Sequence, residues 1–178
     1  MVMHHEAPSA TALPEGVEVR SLEPHDDDRG RFTEIYRDSW VAGDRPVQWN
    51  LVRSAAGVLR GVHVHRSHAD VLTVAAGQLV LGLVDLRSGA PERATTLTLD
   101  AENPRLVSIP PGVAHGFWFP TASTHVYAVS EYFEPTDELG CQWNDPELGI
   151  PWSPGDVRIS DRDAALPSFS RLLDEFRR

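Results

Sequence analysis

The chain has 178 residues, enough for one domain with a substantial core, and 41% of them are hydrophobic. Its net charge of −10 argues against a nucleic-acid or anionic-membrane partner, though a small phosphorylated ligand needs only a local group of arginines. All sixteen basic residues are arginine, which closes every role that needs a lysine amine; the sole cysteine, Cys141, excludes an intrachain disulfide and fits a reducing cytoplasm.

In chain order, the opening "MVMHHEAPSATALPEG" lacks the apolar core of a signal peptide and reads as a loose arm over residues 1–17. No apolar run approaches the ~20 residues that span a membrane, and residues 18–178 read as a single domain. Runs rich in Val, Leu, Thr and aromatics follow at 47–54, 58–65, 71–76, 79–85, 94–99, 106–109 and 125–133. The separators, among them "AAGQ", "RSGAPE", "DAENP" and "PPGVAHG", are turn material. Many closely spaced strands predict an all-β sandwich or small barrel. Only the end reads as a helix: Phe169, Leu172, Leu173 and Phe176 recur at i, i+3, i+4 and i+7, with Pro167 at the start.

Parity along the strands constrains a site. In "VQWNLVRS", Gln48 and Asn50 share one face, and Val47, Trp49 and Leu51 share the other. Trp49 and Leu51 are expected to pack between layers, leaving Gln48 and Asn50 toward solvent or a polar lumen. In "VYAVSEY", Tyr127, Val129 and Glu131 share a face, so Tyr127 is a candidate to look into the same lumen.

Residues 57–77 read G-x5-H-x-H-x4-D-x6-G, followed later by Pro110-Pro-Gly-Val-Ala-His115. This spacing resembles the cupin superfamily, whose two motifs project histidines and an acid into a small jelly-roll barrel, a double-stranded β-helix. The resemblance implies that fold with a short C-terminal helix, and it opens a metal reading with His63, His65, Asp70 and His115 as ligands to one divalent transition metal. The usual acid is Glu, and Asp70 is one methylene shorter.

A second resemblance covers more of the chain. "DRGRFTEIY", "VQWNLVRSAAGVLRGVH", "VDLRSGAP", "LDAENPRLVSIPPGVAHGF", "VYAVSEYFEP", "WNDPELGIPW" and "ISDRD" are similar, in order, to the dTDP-4-dehydrorhamnose 3,5-epimerase family, a cupin-fold group that needs no metal. It implies epimerisation of a dTDP-4-keto-6-deoxyhexose at C3, C5 or both, with no cofactor, in a cytoplasmic homodimer. The 4-keto group acidifies the neighbouring C–H bonds; a base removes a proton and an acid on the opposite ring face returns one. Histidine suits the base. By position the resemblance makes His63 the base, Asp163 its partner and Tyr127 the opposing acid. Arg29, Phe32, Glu34, Gln48, Asn50, Arg60, His115, Glu131 and Arg162 become candidates to bind the nucleotide sugar, some of them in the partner subunit's site.

Two features complicate this. Arg60 and His63 are three apart and face opposite ways on a regular strand, so a bulge at Gly61 is expected. The family has a lysine, which helps hold the enolate, where this chain has Asp70. "RGVHVH" also resembles the 3,4-ketoisomerases acting on the same sugar class, which keeps that activity as an alternative, beside a metal-binding cupin or a non-catalytic sugar-nucleotide binder.

Overall fold

Leu79, Leu81 and Leu83 alternate along one strand, and the face they share is the centre of the core. The computed structural model describes residues 12–87, 94–132, 134 and 137–178. Most of the expected loose arm, residues 1–11, lies outside that range; of the rest, Val17 is buried in the core and Leu13 packs against it. The strands are β1 (Glu18–Ser21), β2 (Pro24–Asp27), β3 (Gly30–Thr33), β4 (Gln48–Ser54), β5 (Leu59–Val64), β6 (Asp70–Ala76), β7 (Gln78–Asp85), β8 (Thr95–Asp100), β9 (Arg105–Ile109), β10 (Val113–Trp118), β11 (Ser123–Val129) and β12 (Leu139–Gly140). Two short helices, α1 (Asp161–Ala164) and α2 (Phe169–Phe176), close the chain.

The strands form two five-stranded antiparallel sheets, ordered β1-β9-β6-β11-β4 and β12-β5-β10-β7-β8, and β2 pairs with β3 in a separate hairpin. Leu72 and Val74 of β6 meet the leucines of β7, with Phe119 and Ile109, between the sheets. The outer face of the second sheet is covered by the C-terminal segment: Val62, Val64 and Val84 pack against Leu148, Ile150, Phe169 and Leu172. α2 supplies two of these from its apolar stripe, and Ser168 caps it by accepting from the Arg171 amide. A third cluster of Leu22, Val71 and Leu106 lies under Ile35, Tyr36 and Trp40 on the outside of the first sheet.

Two expectations need correction. "PPGVAHG" is a turn only as far as Gly112, which has φ +82°; Val113 onward is β10, a central strand. Trp49 and Leu51 do not pack between layers: they face outward, 47% and 63% exposed, and Tyr36 stands edge-on to Trp49. Gln48 and Asn50 therefore hold the inward face of β4.

Candidate active site

The end of β5 and the residue after it alternate regularly, with Val62 and Val64 packed outward and His63 and His65 turned inward. The alternation breaks at Gly61. His115 pairs with His63 and Phe117 with Arg60, so three steps on β5 face two on β10. This is the bulge expected there, and it brings Arg60 and His63 to the same cavity. Gly61 has φ +102°, and a Cβ on it would lie 2.9 Å from the His115 carbonyl oxygen, so only glycine fits.

The cavity lies between the sheets and measures about 270 Å³. One sheet contributes Gln48, Asn50, Asp70 and Tyr127; the other contributes Arg60, His63 and His115; α1 adds Arg162 and Asp163. Asp163 is buried because Ser160 caps α1 and aims its first turn at β5. His63 Nε2 lies 2.9 Å from Asp163 Oδ1, and the Gly61 amide donates to Oδ2 at 3.2 Å. Burial works to raise the Asp163 pKa, but the His63 hydrogen bond and charge, with the Gly61 amide, hold it below the ordinary carboxylate value. An ionised Asp163 only accepts, so His63 carries its proton on Nε2 and has Nδ1 free as a base. Burial, then the negative charges of Asp70 and Glu138, raise the Tyr127 phenol and keep it protonated.

Deeper in the cavity, three imidazoles surround one carboxylate oxygen. His65 Nε2, His68 Nε2 and His115 Nε2 lie 3.8, 3.9 and 3.8 Å from Asp70 Oδ2. His65 and His68 stack with ring centroids 3.9 Å apart. Burial drives His65 down to about 2 and His115 to about 4, and raises Asp70 to about 7. The rings of His65 and His115 are therefore neutral at pH 7, and their contacts with Asp70 are not ion pairs. The metal set expected from spacing is thus altered: His63 is taken by Asp163, and His68 stands by Asp70 in its place.

Other expected binding residues lie elsewhere. Arg29 is exposed and paired with Asp27, Glu34 bonds Arg37, and Phe32 is 67% exposed beside His25; none lines this chain's cavity. Glu131 is exposed beyond the end of β11, where the parity that joined it to Tyr127 has stopped, and it too lies outside the cavity. Conversely, Glu138 and His125 line the cavity without having been expected. Glu138 reaches it from the loop before β12, bonding Arg162 at 3.1 Å; no local motif signals that.

The dTDP-4-dehydrorhamnose 3,5-epimerase family matches residues 10–171. The chain belongs to that family. It is 37% identical over 153 residues to a dTDP-4-dehydrorhamnose 3,5-epimerase from Neisseria gonorrhoeae, covering 80% of this chain and 46% of that protein, so it spans under half that relative's length. Among solved structures, a dTDP-6-deoxy-D-glucose-3,5-epimerase from Legionella pneumophila, in complex with dTDP-4-keto-L-rhamnose, superposes with TM-score 0.83 at 31% identity, covering 91% of this chain and 92% of that one. A 3'-monoepimerase from Streptomyces bikiniensis in complex with dTDP-quinovose gives 0.81 at 30% identity, covering 88% and 85%. Asp70, the position at which the sequence resemblance leads one to expect a lysine, is buried in this epimerase-family chain.

Proposed function

We propose that this chain epimerises a dTDP-4-keto-6-deoxyhexose at C3, C5 or both, in deoxysugar biosynthesis. The observation that carries the reading is the His63–Asp163 pair, at 2.9 Å, in the wall opposite Tyr127 within a cavity shared by both sheets. His63 Nδ1 takes the proton α to the keto group; Asp163 orients the ring and stabilises the imidazolium that forms. Tyr127 stands on β11, in the other sheet, and is the acid that returns a proton to the opposite ring face. Arg60, tethered through Nε to Ser54 Oγ at 3.1 Å, supplies a fixed positive charge in the same cavity. Gln48, Asn50 and Arg162 line the rest and hold the nucleotide sugar by hydrogen bonds and charge.

The active form is a homodimer in the cytoplasm. The outward Val47, Trp49 and Leu51 give β4 an apolar outer face, and the hairpin β2–β3 carries Arg29 and Phe32 away from its own cavity. Both features suit a second copy that buries the first and receives the second. Among the described residues no helix is long and apolar enough to cross a membrane.

Incubation with dTDP-4-keto-6-deoxyglucose in D2O tests the chemistry. Mass spectrometry and NMR are expected to find deuterium at C3 or C5, and His63→Ala is expected to abolish it. No incorporation by the folded wild-type chain overturns the reading; a 3-keto product assigns the chain to the ketoisomerase reaction instead.

A further inference from the structure

The three histidines around Asp70 share an orientation that hydrogen bonding among them does not explain. Each presents Nε2 to the same oxygen, Asp70 Oδ2, at 3.8–3.9 Å, beyond hydrogen-bond reach. Each turns Nδ1 toward another oxygen: His115 Nδ1 donates to the Val113 carbonyl at 3.1 Å, His65 Nδ1 lies 3.4 Å from Glu138 Oε1, and His68 Nδ1 lies 3.3 Å from Asp137 Oδ2. The Val113 carbonyl fixes the His115 tautomer that leaves Nε2 as a lone pair, and the carboxylates near His65 and His68 stand where they can do the same, the arrangement of metal-bound imidazole. Two ligands about 2.1 Å from one ion stand roughly 3.0–3.5 Å apart, so small side-chain rotations close the observed gaps.

Burial and partners agree with this. His65, His68, Asp70 and His115 are all buried, and His65 Nδ1 has no true hydrogen bond. Ligand atoms of His65, Asp70 and His115 fall within 4.8 Å of one another. A second grouping, His65, His68 and Asp137, is weaker, because Asp137 already accepts from the Arg66 and Ser67 amides at 2.8 and 3.3 Å. Among the described residues no backbone amide donates to the Asp70 carboxylate, which makes it the better candidate for an ion.

We infer that His65, Asp70 and His115, with His68 alongside, form a binding site for one divalent first-row transition ion, with Glu138 and Asp137 as positioning residues behind the rings. Three imidazoles and one carboxylate suit Zn, Fe, Co, Ni or Mn. The site stands on the cluster alone; only its use rests on the epimerase reading, in which a bound ion supplies positive charge where the family's lysine is absent.

The test uses the full chain, expressed without a polyhistidine tag, stripped with a chelator and titrated with Co²⁺. Binding of about one Co²⁺ per chain, visible absorption bands of low-coordinate cobalt, and a raised Tm are expected. Asp70→Asn, close to isosteric, is expected to abolish the bands, and Glu138→Gln to weaken binding about 10–100-fold. His63→Asn is expected to keep the cobalt spectrum while losing deuterium exchange, so the metal and the epimerase readings fail separately. A wild-type chain with native circular dichroism that binds no Co²⁺ overturns the site. So does cobalt binding that Asp70→Asn and His65→Ala leave unchanged, which places the ion elsewhere, for instance on His4 and His5.

Discussion

Gly61 joins two requirements in one residue. Its positive φ turns both Arg60 and His63 inward, and its amide donates to the carboxylate that orients His63. Gly61→Ala forces a Cβ against the His115 carbonyl oxygen and strains the backbone, at about 1–3 kcal/mol. For a domain of this size that lowers Tm by roughly 2–4 °C per kcal/mol, which calorimetry checks; an unchanged Tm contradicts the strain. Asp163→Asn keeps the shape and removes the charge that stabilises an imidazolium, so kcat for epimerisation is expected to fall by about 10²–10⁴-fold with KM little changed. Because Asp163 is held below its unfolded value, the stability it contributes is present above the ordinary carboxylate pKa and lost as pH falls through its lowered one. His63, Asp163 and Tyr127 were legible in the sequence because each sits in a block whose order survives. Glu138 was not, since it meets His65 and Arg162 only once a loop has folded over the cavity.

At the scale of elements, the strand runs at 47–54, 58–65, 71–76 and 79–85 were readable because stretches rich in Val, Leu and Thr stand between turn residues, and α2 because its apolar stripe is regular. β10 was hidden by its own composition. Gly116 interrupts it, yet the gap is needed: a Cβ there would lie 2.9 Å from the Trp152 ring, which packs across the outer face of the strand. Parity also told which residues of β4 share a face without telling which face is inside. A strand can turn its apolar side outward only if something else covers it. That gives a prediction for the element: Trp49→Arg with Leu51→Glu places opposed charges on the outer face of β4 and removes none of the cavity wall. Sedimentation of the wild-type chain is expected to give a dimer, and of this double variant a monomer with an intact fold. A wild-type monomer, or a variant that still sediments as a dimer, removes β4 from the interface.

The whole molecule is acidic, with a net charge of −10 and a pI near 5.2, so its solubility and its stability both change as pH falls. One buried group separates the two effects. His125 is 1% exposed among Phe117, Phe119 and Tyr127, and its Nδ1 has no partner. Burial, and then the positive charge of Arg60, depress its pKa from 6.5 to about 4. The unfolded chain therefore binds a proton through this window that the native chain refuses. Stability contributed by neutral His125 is complete above 6.5 and is lost as pH falls toward 4, at up to roughly 1.4 kcal/mol per pH unit. His125→Phe removes both the titration and the unsatisfied nitrogen while keeping a ring in the stack. Comparing urea unfolding of the two chains at each pH cancels every other titrating group and the change in net charge. The stability of the variant relative to the wild type is expected to rise by about 3 kcal/mol between pH 7.5 and pH 4, on top of any constant offset from removing the unsatisfied nitrogen. A constant difference between the two across that range means that His125 is protonated in the native chain, and that the stack around it admits water or a counter-charge.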